Sequence, residues 1–357
     1  MRDAMKVALL IVKFAARGGA ERMASSVAAG LRARGHEVHV FASVFDDDSV
    51  VKHAIPKGGH LQFARRCRDA TRDQQFDVVH SFTRTLAHDI LRLGGGIHAE
   101  YLRRLEPARN MVDRLWSRVN PKERRILQLE RDGLRAARLV QAVSERVKRE
   151  AMEHYGVDAR RIVVMHNGVD VARFHPDLRR HRNSVLSEFH IPKDAFVAVF
   201  VGSGARRKGL STAVAAFADG DAHLIVVGDA GSGKQRGRVH FAGVRPDVER
   251  FYGAADAFVF PTLYDPFPNA CMEALAAGVP VIVTRVAGVS EIITDGVDSF
   301  VIDDPGSAQA IIDRIGRLRS GDRERLGRAA RALAERHPID KYVDDTIRLY
   351  RQLAPPA

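Results

Sequence analysis

The sequence predicts an α/β protein of two doubly wound, parallel-sheet domains, and three observations carry that expectation. Short Val- and Ile-rich runs alternate with longer amphipathic stretches along the whole chain. Within the runs, consecutive positions are apolar, as in strands covered on both faces. The length, 357 residues, suits two domains of ~100–200 residues each.

The first strand series is Lys6–Val12, Val38–Ala42, Asp77–His80, Leu139–Val143 and Ile162–Met165. Between the first two, Met23, Val27 and Leu31 recur every four residues, so Gly19–Gly35 reads as a helix stopped by its last glycine. The second series is Phe196–Val201, His223–Val227, Val239–Ala242, Ala257–Pro261, Val279–Thr284 and Ser299–Ile302. The junction is expected within Phe174–Pro192, where His175-Pro176-Asp177, a polar run at Arg179–Asn183 and Ile191-Pro192 supply turn formers. Domains of 1–175 and 176–338 follow. Residues 339–357 hold a last amphipathic helix, Asp340–Leu353, expected to pack back on the N-terminal domain.

Lys and Arg number 56 against 44 Asp and Glu, a net charge of +12. Residues 1–175 hold 32 basic and 21 acidic residues and the remainder 24 and 23, so the excess belongs to the first half. Within it, 101–149 holds 14 basic and 6 acidic residues. Such asymmetry suits a surface that meets nucleic acid, acidic lipid or a phosphorylated substrate, with solvated arginine-rich helix faces as the plain alternative. No apolar run approaches the ~18 residues of a membrane span. Val7–Val12 is too short for a signal sequence, and Cys67 and Cys271 are too few for a disulfide framework or a cysteine zinc site. A reducing, cytoplasmic setting is expected.

Open parallel sheets bind ligands beyond the carboxyl ends of their strands, so the residues after each strand matter most. After the first strand, Arg17-Gly18-Gly19-Ala20-Glu21-Arg22 puts glycines before a helix, where backbone can approach a phosphate or sugar. After Phe196–Val201, Gly202-Ser203-Gly204-Ala205-Arg206-Arg207-Lys208-Gly209 offers three consecutive cations to a diphosphate. Gly228–Lys234 satisfies G-x-x-x-x-G-K, but Gln235 replaces the Ser or Thr that would hold magnesium. Arg236-Gly237-Arg238 then leads into a strand where a P-loop needs a helix. Asp46-Asp47-Asp48 mimics a metal-binding D-x-D but reads as a solvated loop, and no metal site is expected.

The segment Pro261–Val281 carries most information. A strand ends, a rigid loop holds Asp265, and a helix starting near Asn269 holds Glu273 and closes at Gly278. Carboxylates accept hydrogen bonds from sugar hydroxyls, and free N–H groups at Pro268–Cys271 favour a negative group.

This segment resembles the E-x7-E motif of retaining glycosyltransferases of family 4, or group 1, with Asp265 in place of the first Glu and Glu273 as the second. Gly18-Gly19-Ala20-Glu21, Val143-Ser144-Glu145, Asn167-Gly168-Val169-Asp170, Arg207-Lys208-Gly209 and Gly288-Val289-Ser290-Glu291 resemble further elements of that family in the same order. The resemblance implies a GT-B fold, two Rossmann-like domains facing each other across a cleft, and transfer of a hexosyl group without metal or cofactor. It assigns the donor to Gly18, Gly19, Arg207, Lys208, Asp265, Phe267, Pro268, Asn269, Ala270 and Glu273. Glu273 would bind the ribose and Asp265 the hexose, while Arg207 and Lys208 would neutralise the departing diphosphate. The Asp at 265 shortens that reach.

His80–Arg84 and Asp89–Tyr101 are similar to lipopolysaccharide core glucosyltransferases. That likeness makes a UDP-hexose the default donor, glucose the favoured sugar and a lipid-linked or phosphorylated glycan the acceptor. His98 then joins Asp265, Lys208 and Arg207 as a catalytic candidate, and Asp89, His98, Arg103 and Arg104 are candidates for the acceptor. Arg114, Trp116, Arg118, Lys122, Arg124 and Arg125, extended by Arg65, Arg66 and Arg68, suit peripheral contact with an anionic membrane at its cytoplasmic face. The alternatives are a soluble sugar or small-metabolite acceptor, a nucleic-acid-binding protein, and a non-catalytic nucleotide-sugar-binding module. No aromatic–basic interleaving or reading helix supports specific nucleic-acid binding.

Overall fold

The computed structural model describes residues 4–15, 18–46, 49–105, 120–230 and 232–353. Two compact units divide the chain, Met1–Asn167 with Ile339–Ala357, and Gly168–Pro338.

In the first unit the strands are β1 Lys6–Leu10, β2 Glu37–Ala42, β3 Val51–Ala54, β4 Val78–Ser81, β5 Ile90–Leu93, β6 Leu139–Ala142 and β7 Ile162–Val164. Their order is β3-β2-β1-β4-β5-β6-β7, with every neighbouring pair parallel. The order reverses between β1 and β4, the switch point of a Rossmann-type sheet. Strand alternation explains how both faces are covered. Val7 and Leu9 pack with Met23, Val27 and Leu31 of the helix Gly19–Ala33 and with Tyr342, Val343 and Tyr350 of the helix Ile339–Leu353. Ala8 and Leu10 pack on the opposite face with Phe41, Phe63 and Cys67.

The C-terminal helix is thus part of the first unit. Gly30 lets it come close, since a Cβ there would stand 2.6 Å from Val343 Cγ2. Beneath it the sheet carries buried polar groups. Tyr350 OH lies 2.7 Å from His80 Nδ1, and Tyr342 OH accepts from Arg92 Nε at 3.1 Å and Gln141 Nε2 at 3.0 Å. Burial pushes the His80 imidazole down to about 3.

In the second unit the strands are β8 Val197–Val201, β9 His223–Val227, β10 Ser232–Arg236, β11 Val239–Gly243, β12 Ala257–Phe260, β13 Val281–Thr284 and β14 Phe300–Ile302. Their order is β10-β11-β9-β8-β12-β13-β14, parallel except for β10 against β11. The segment that mimics a P-loop runs into β10, an edge strand, and forms no helix there.

Three strands depart from expectation. β3 is largely exposed at the sheet edge, and β10 is glycine- and cation-bearing, so neither has an apolar run. β5 is broken in sequence by Arg92, a buried cation whose Nη2 donates to Asn167 Oδ1 at 2.5 Å. The unit boundary also falls at Asn167–Gly168 and not at residue 175. Val169 bridges Pro338, and Arg331 Nη1 donates to the carbonyls of Val171 and Phe174, which ties 168–175 into the second unit.

Candidate active site

At the carboxyl edge of the second sheet, hydrogen bonds to main-chain carbonyls lock two loops together. The Arg207 carbonyl accepts from Leu263 N at 2.8 Å and Thr262 Oγ1 at 3.0 Å, and the Thr262 carbonyl accepts from Thr284 Oγ1 at 2.7 Å. Gly209 makes the close approach feasible. Its φ is +73°, and a Cβ there would collide with the Pro261 carbonyl oxygen.

The locked loops bring the charged side chains into one place. Arg207 Nη1 donates to Asp265 Oδ2 at 3.0 Å and to the Tyr264 carbonyl at 2.8 Å. Lys208 folds over Gly202, where a Cβ would stand 2.5 Å from its Nζ, and its ammonium lies 5.4 Å from the Phe260 ring centroid. Burial lowers the Lys208 pKa, opposed by the nearby Asp265 carboxylate. Asp265 is itself held by its backbone, which bridges Ala287 and accepts from Gly288 N at 2.9 Å.

Phe267 and Pro268 are buried beside this pair, and the helix Asn269–Ala276 starts there with no side-chain cap. Asn269 and Ala270 stay partly exposed at its first turn. Glu273 is buried on the same helix and accepts from Tyr252 OH at 2.8 Å. The structure therefore gathers Arg207, Lys208 and Asp265 at the start of the helix that carries Glu273. Tyr252 was missed in the sequence, because it belongs to the helix Val248–Ala254 and reaches Glu273 only through the fold. Cys271 is buried, and burial raises its thiol well above the usual range, so it offers no nucleophile.

In the first unit, Gly18 (φ +99°) precedes the helix Gly19–Ala33, and its carbonyl accepts from Arg22 N at 3.1 Å. The Glu21 carboxylate occupies the space a Gly18 side chain would need. Arg17 lies outside the described residues. His98 opens the helix His98–Leu105 after the glycine turn that follows β5. Its Nε2 lies 2.5 Å from Glu123 Oε2, its ring stacks on Tyr101, and its backbone N donates to Glu130 Oε2 at 2.8 Å. Buried Glu130 also accepts from Arg84 Nε at 3.0 Å and Tyr155 OH at 2.7 Å. Neither glutamate could be picked out by spacing, since both come from the helix Pro121–Ala136.

The structure places three acceptor candidates against partners in their own chain. Asp89 precedes β5 and so lies at the amino edge of the sheet, where its oxygens accept from Val79 N at 2.8 Å and Arg138 Nη1 at 3.2 Å. Arg103 and Arg104 both donate to buried Glu100, at 2.5–2.6 Å. Burial of Glu100 opposes its ionisation, but hydrogen bonds from Arg103, Arg104 and His154 outweigh it and hold the carboxyl down at about 2. These two cations are engaged with their own chain. Arg66 donates to the carbonyls of Pro56 and Lys57, and Arg68 pairs with Asp69. Arg65, Lys122, Arg124 and Arg125 are exposed, whereas Arg114, Trp116 and Arg118 lie outside the described residues. Asp46 faces Lys13 at 3.4 Å, and Asp47 and Asp48 also lie outside them.

Residues 183–333 match the family described as glycosyl transferases group 1, and residues 17–173 match glycosyltransferase family 4. The chain is 30% identical over 337 residues to a probable transglycosylase of Burkholderia thailandensis, covering 90% of each. It belongs to the group 1, family 4 glycosyltransferases. A D-inositol 3-phosphate glycosyltransferase of Paenarthrobacter aurescens is 28% identical over 310 residues, 78% of this glycosyltransferase and 73% of that one. Among solved structures, WaaG, a glycosyltransferase involved in lipopolysaccharide biosynthesis, superposes with a TM-score of 0.81 at 20% identity, covering 96% and 99% of the two chains. Anabaena HepE in complex with UDP and glucose superposes at 0.75 with 19% identity, covering 98% and 99%. Those likenesses show the GT-B fold that the sequence led us to expect.

Proposed function

We propose that this glycosyltransferase moves a hexosyl unit, glucose favoured, from a UDP-hexose to a lipid-linked glycan such as a lipopolysaccharide core, with retention at the anomeric carbon and without a metal or cofactor. The observation that carries the donor reading is the convergence of Arg207, Lys208 and Asp265 beside the start of the Glu273 helix. Two cations next to one carboxylate leave a positive excess suited to a diphosphate. Glu273 would accept from the ribose hydroxyls, and Asp265 would turn from Arg207 to a hexose hydroxyl as the diphosphate takes up the guanidinium.

In the step we infer, the acceptor hydroxyl forms its bond to the anomeric carbon on the face where the bond to the phosphate oxygen breaks. That leaving oxygen takes the acceptor proton, while Arg207 and Lys208 stabilise its charge. The hydrogen bond of His98 to Glu123 supports a positioned imidazole for the acceptor. The acceptor reading draws on a lipopolysaccharide core glycosyltransferase, LpsD of Rhizobium meliloti, 33% identical over 139 residues. Exposed Arg65, Lys122, Arg124 and Arg125 support contact with anionic lipid at the cytoplasmic face of a membrane. Among the described residues no helix is long and apolar enough to cross one. A second reading, a soluble small-metabolite acceptor, is favoured by the D-inositol 3-phosphate enzymes among the relatives.

Thermal-shift measurements with UDP, GDP, ADP and their sugar conjugates, on wild type and Glu273→Ala, test the donor. A ligand at 100-fold excess over its Kd stabilises the native state by ~2.7 kcal/mol. A UDP-specific shift lost in the variant is expected, and no shift with any nucleotide would refute the donor reading. Product NMR reads retention, turnover in chelator reads metal independence, and flotation with anionic vesicles separates the two acceptor readings.

A further inference from the structure

The second unit has a cavity of about 390 Å³ at the amino edge of its sheet, beside the residues that lead into β12 and β13. Its size falls within the ~300–1,000 Å³ of small-molecule sites. The donor constellation follows the carboxyl ends of the same strands, so this cavity is a separate feature at the other edge.

Its floor carries unbalanced positive charge. Arg179 and Arg323, which line it, and Arg182, which does not, all pair with the buried carboxylate of Asp256, Arg179 at 2.8 Å and Arg182 at 3.1 Å. Asp256 also accepts from Val197 N at 2.9 Å, which fixes it in place. Arg328 lines the wall, is exposed, and has no ion pair or hydrogen bond among the described residues. Of the two other acids lining the cavity, Glu335 is tied to Arg331 at 2.7 Å, and Glu324 is exposed. Four lining arginines, Arg179, Arg323, Arg328 and Arg331, face three lining acids, Asp256, Glu324 and Glu335, which leaves the concave site an excess of one cation.

Two features join this cavity to the donor helix. Tyr252 borders it, and its buried side chain donates from the hydroxyl to Glu273 at 2.8 Å. Arg331, also in the wall, donates from Nη1 to the carbonyl of Ala276, the last residue of the Glu273 helix, at 2.7 Å. We propose that the cavity is a second site, for a small phosphate monoester such as a sugar phosphate, and that its occupant tunes the donor site through Tyr252. The tuning rests on the donor reading above; the anion site does not.

Equilibrium dialysis with inorganic phosphate and glucose 6-phosphate tests the site directly. Binding is expected in wild type and in Arg207→Ala, and about tenfold weaker or worse in Arg328→Glu. Arg328 is exposed, so that variant should melt like wild type when no ligand is present. Equal binding in Arg328→Glu, loss in Arg207→Ala alone, or no binding up to about 10 mM would each overturn the site. Coupling is read as the Kd of whichever nucleotide binds, with and without glucose 6-phosphate. A change of about fivefold or more, abolished in Tyr252→Phe, is expected. An unchanged Kd in wild type with the cavity filled overturns the coupling. Should every nucleotide fail to bind, the donor reading fails, and the cavity stands or falls on Arg328→Glu.

Discussion

The two sheets end in edges that handle charge in opposite ways. In the first unit, cations are matched to acids: Arg84 to Glu130, Arg103 and Arg104 to Glu100, and His98 to Glu123. In the second, Arg207 and Lys208 share Asp265, and hydrogen bonds to main-chain carbonyls join the Arg207–Asp265 ion pair in fixing the loops that carry them. At these edges the strongly basic half sets cations against its own acids and keeps its excess elsewhere on exposed residues such as Arg124 and Arg125, while the nearly neutral half sets two cations against one carboxylate. Net charge counted along a chain says little about where anions bind; the pairing decides it.

The largest expected effect tests that contrast at its strongest point. Arg207→Ala should lower kcat/KM by ~10²–10³-fold, the cost of removing one group that stabilises developing negative charge. Arg104→Ala should change it by no more than a few-fold, since Arg104 is committed to Glu100. Comparable losses in assays of donor consumption would break the comparison.

Gly209→Ala attacks the scaffold of the same edge. The left-handed backbone and the collision with the Pro261 carbonyl both oppose a Cβ. Strain of this kind costs about 3 kcal/mol, to be read from urea unfolding of wild type and variant. Gly35→Ala also has positive φ but nothing within 4 Å of a Cβ, and should cost about 1 kcal/mol. Equal costs would show that the close approach to Pro261 does not matter.

That lock also explains what could be read in advance. Arg207, Lys208, Asp265 and Glu273 lie in short strand–turn–helix segments, so their motif and their geometry are one local fact. The mutual contact of Arg207 and Asp265 follows from β8 and β12 being neighbours in the sheet. His98 is different: its partners Glu123 and Glu130 come from a helix beyond a segment whose length gives no register. Tyr252 escaped for the same reason. β5 was hidden by Arg92, a residue made tolerable in the core by Tyr342 and Asn167, neither of which is near it in sequence.

The His98–Glu123 pair makes the next, smaller test. His98→Gln should lower kcat by about 10–100-fold while leaving the nucleotide-sugar KM within about twofold, because it removes an imidazole assigned to the acceptor. Glu123→Gln should keep more activity, within about tenfold of wild type, because the amide still offers the ring a hydrogen-bond partner. A rise in donor KM as the main effect would transfer His98 to the donor side and erase the division between the two edges.

The smallest effect separates paired from unpaired cations within the first unit. Arg124→Gln with Arg125→Gln should weaken binding to anionic vesicles by about 1 kcal/mol per charge at low salt. Arg103→Gln should weaken it by less than half that, because Glu100 already offsets the charge. The offset persists over the working range, as the Glu100 carboxyl ionises near 2 against an ordinary 4.5. The depressed pKa gives a sign to stability as well: the contribution is complete above about pH 4.5 and is lost as pH falls towards 2, where the folded form at last takes up the proton. Other carboxylates held low, such as Asp247 and Asp158, make both proteins lose stability in acid, so urea titrations from pH 5 down to about 2.5 should show a steeper decline in wild type than in Glu100→Gln. If vesicle binding falls equally for Arg103 and for Arg124 with Arg125, the pairing with Glu100 is too weak to matter, and the whole basic half acts as one undivided surface.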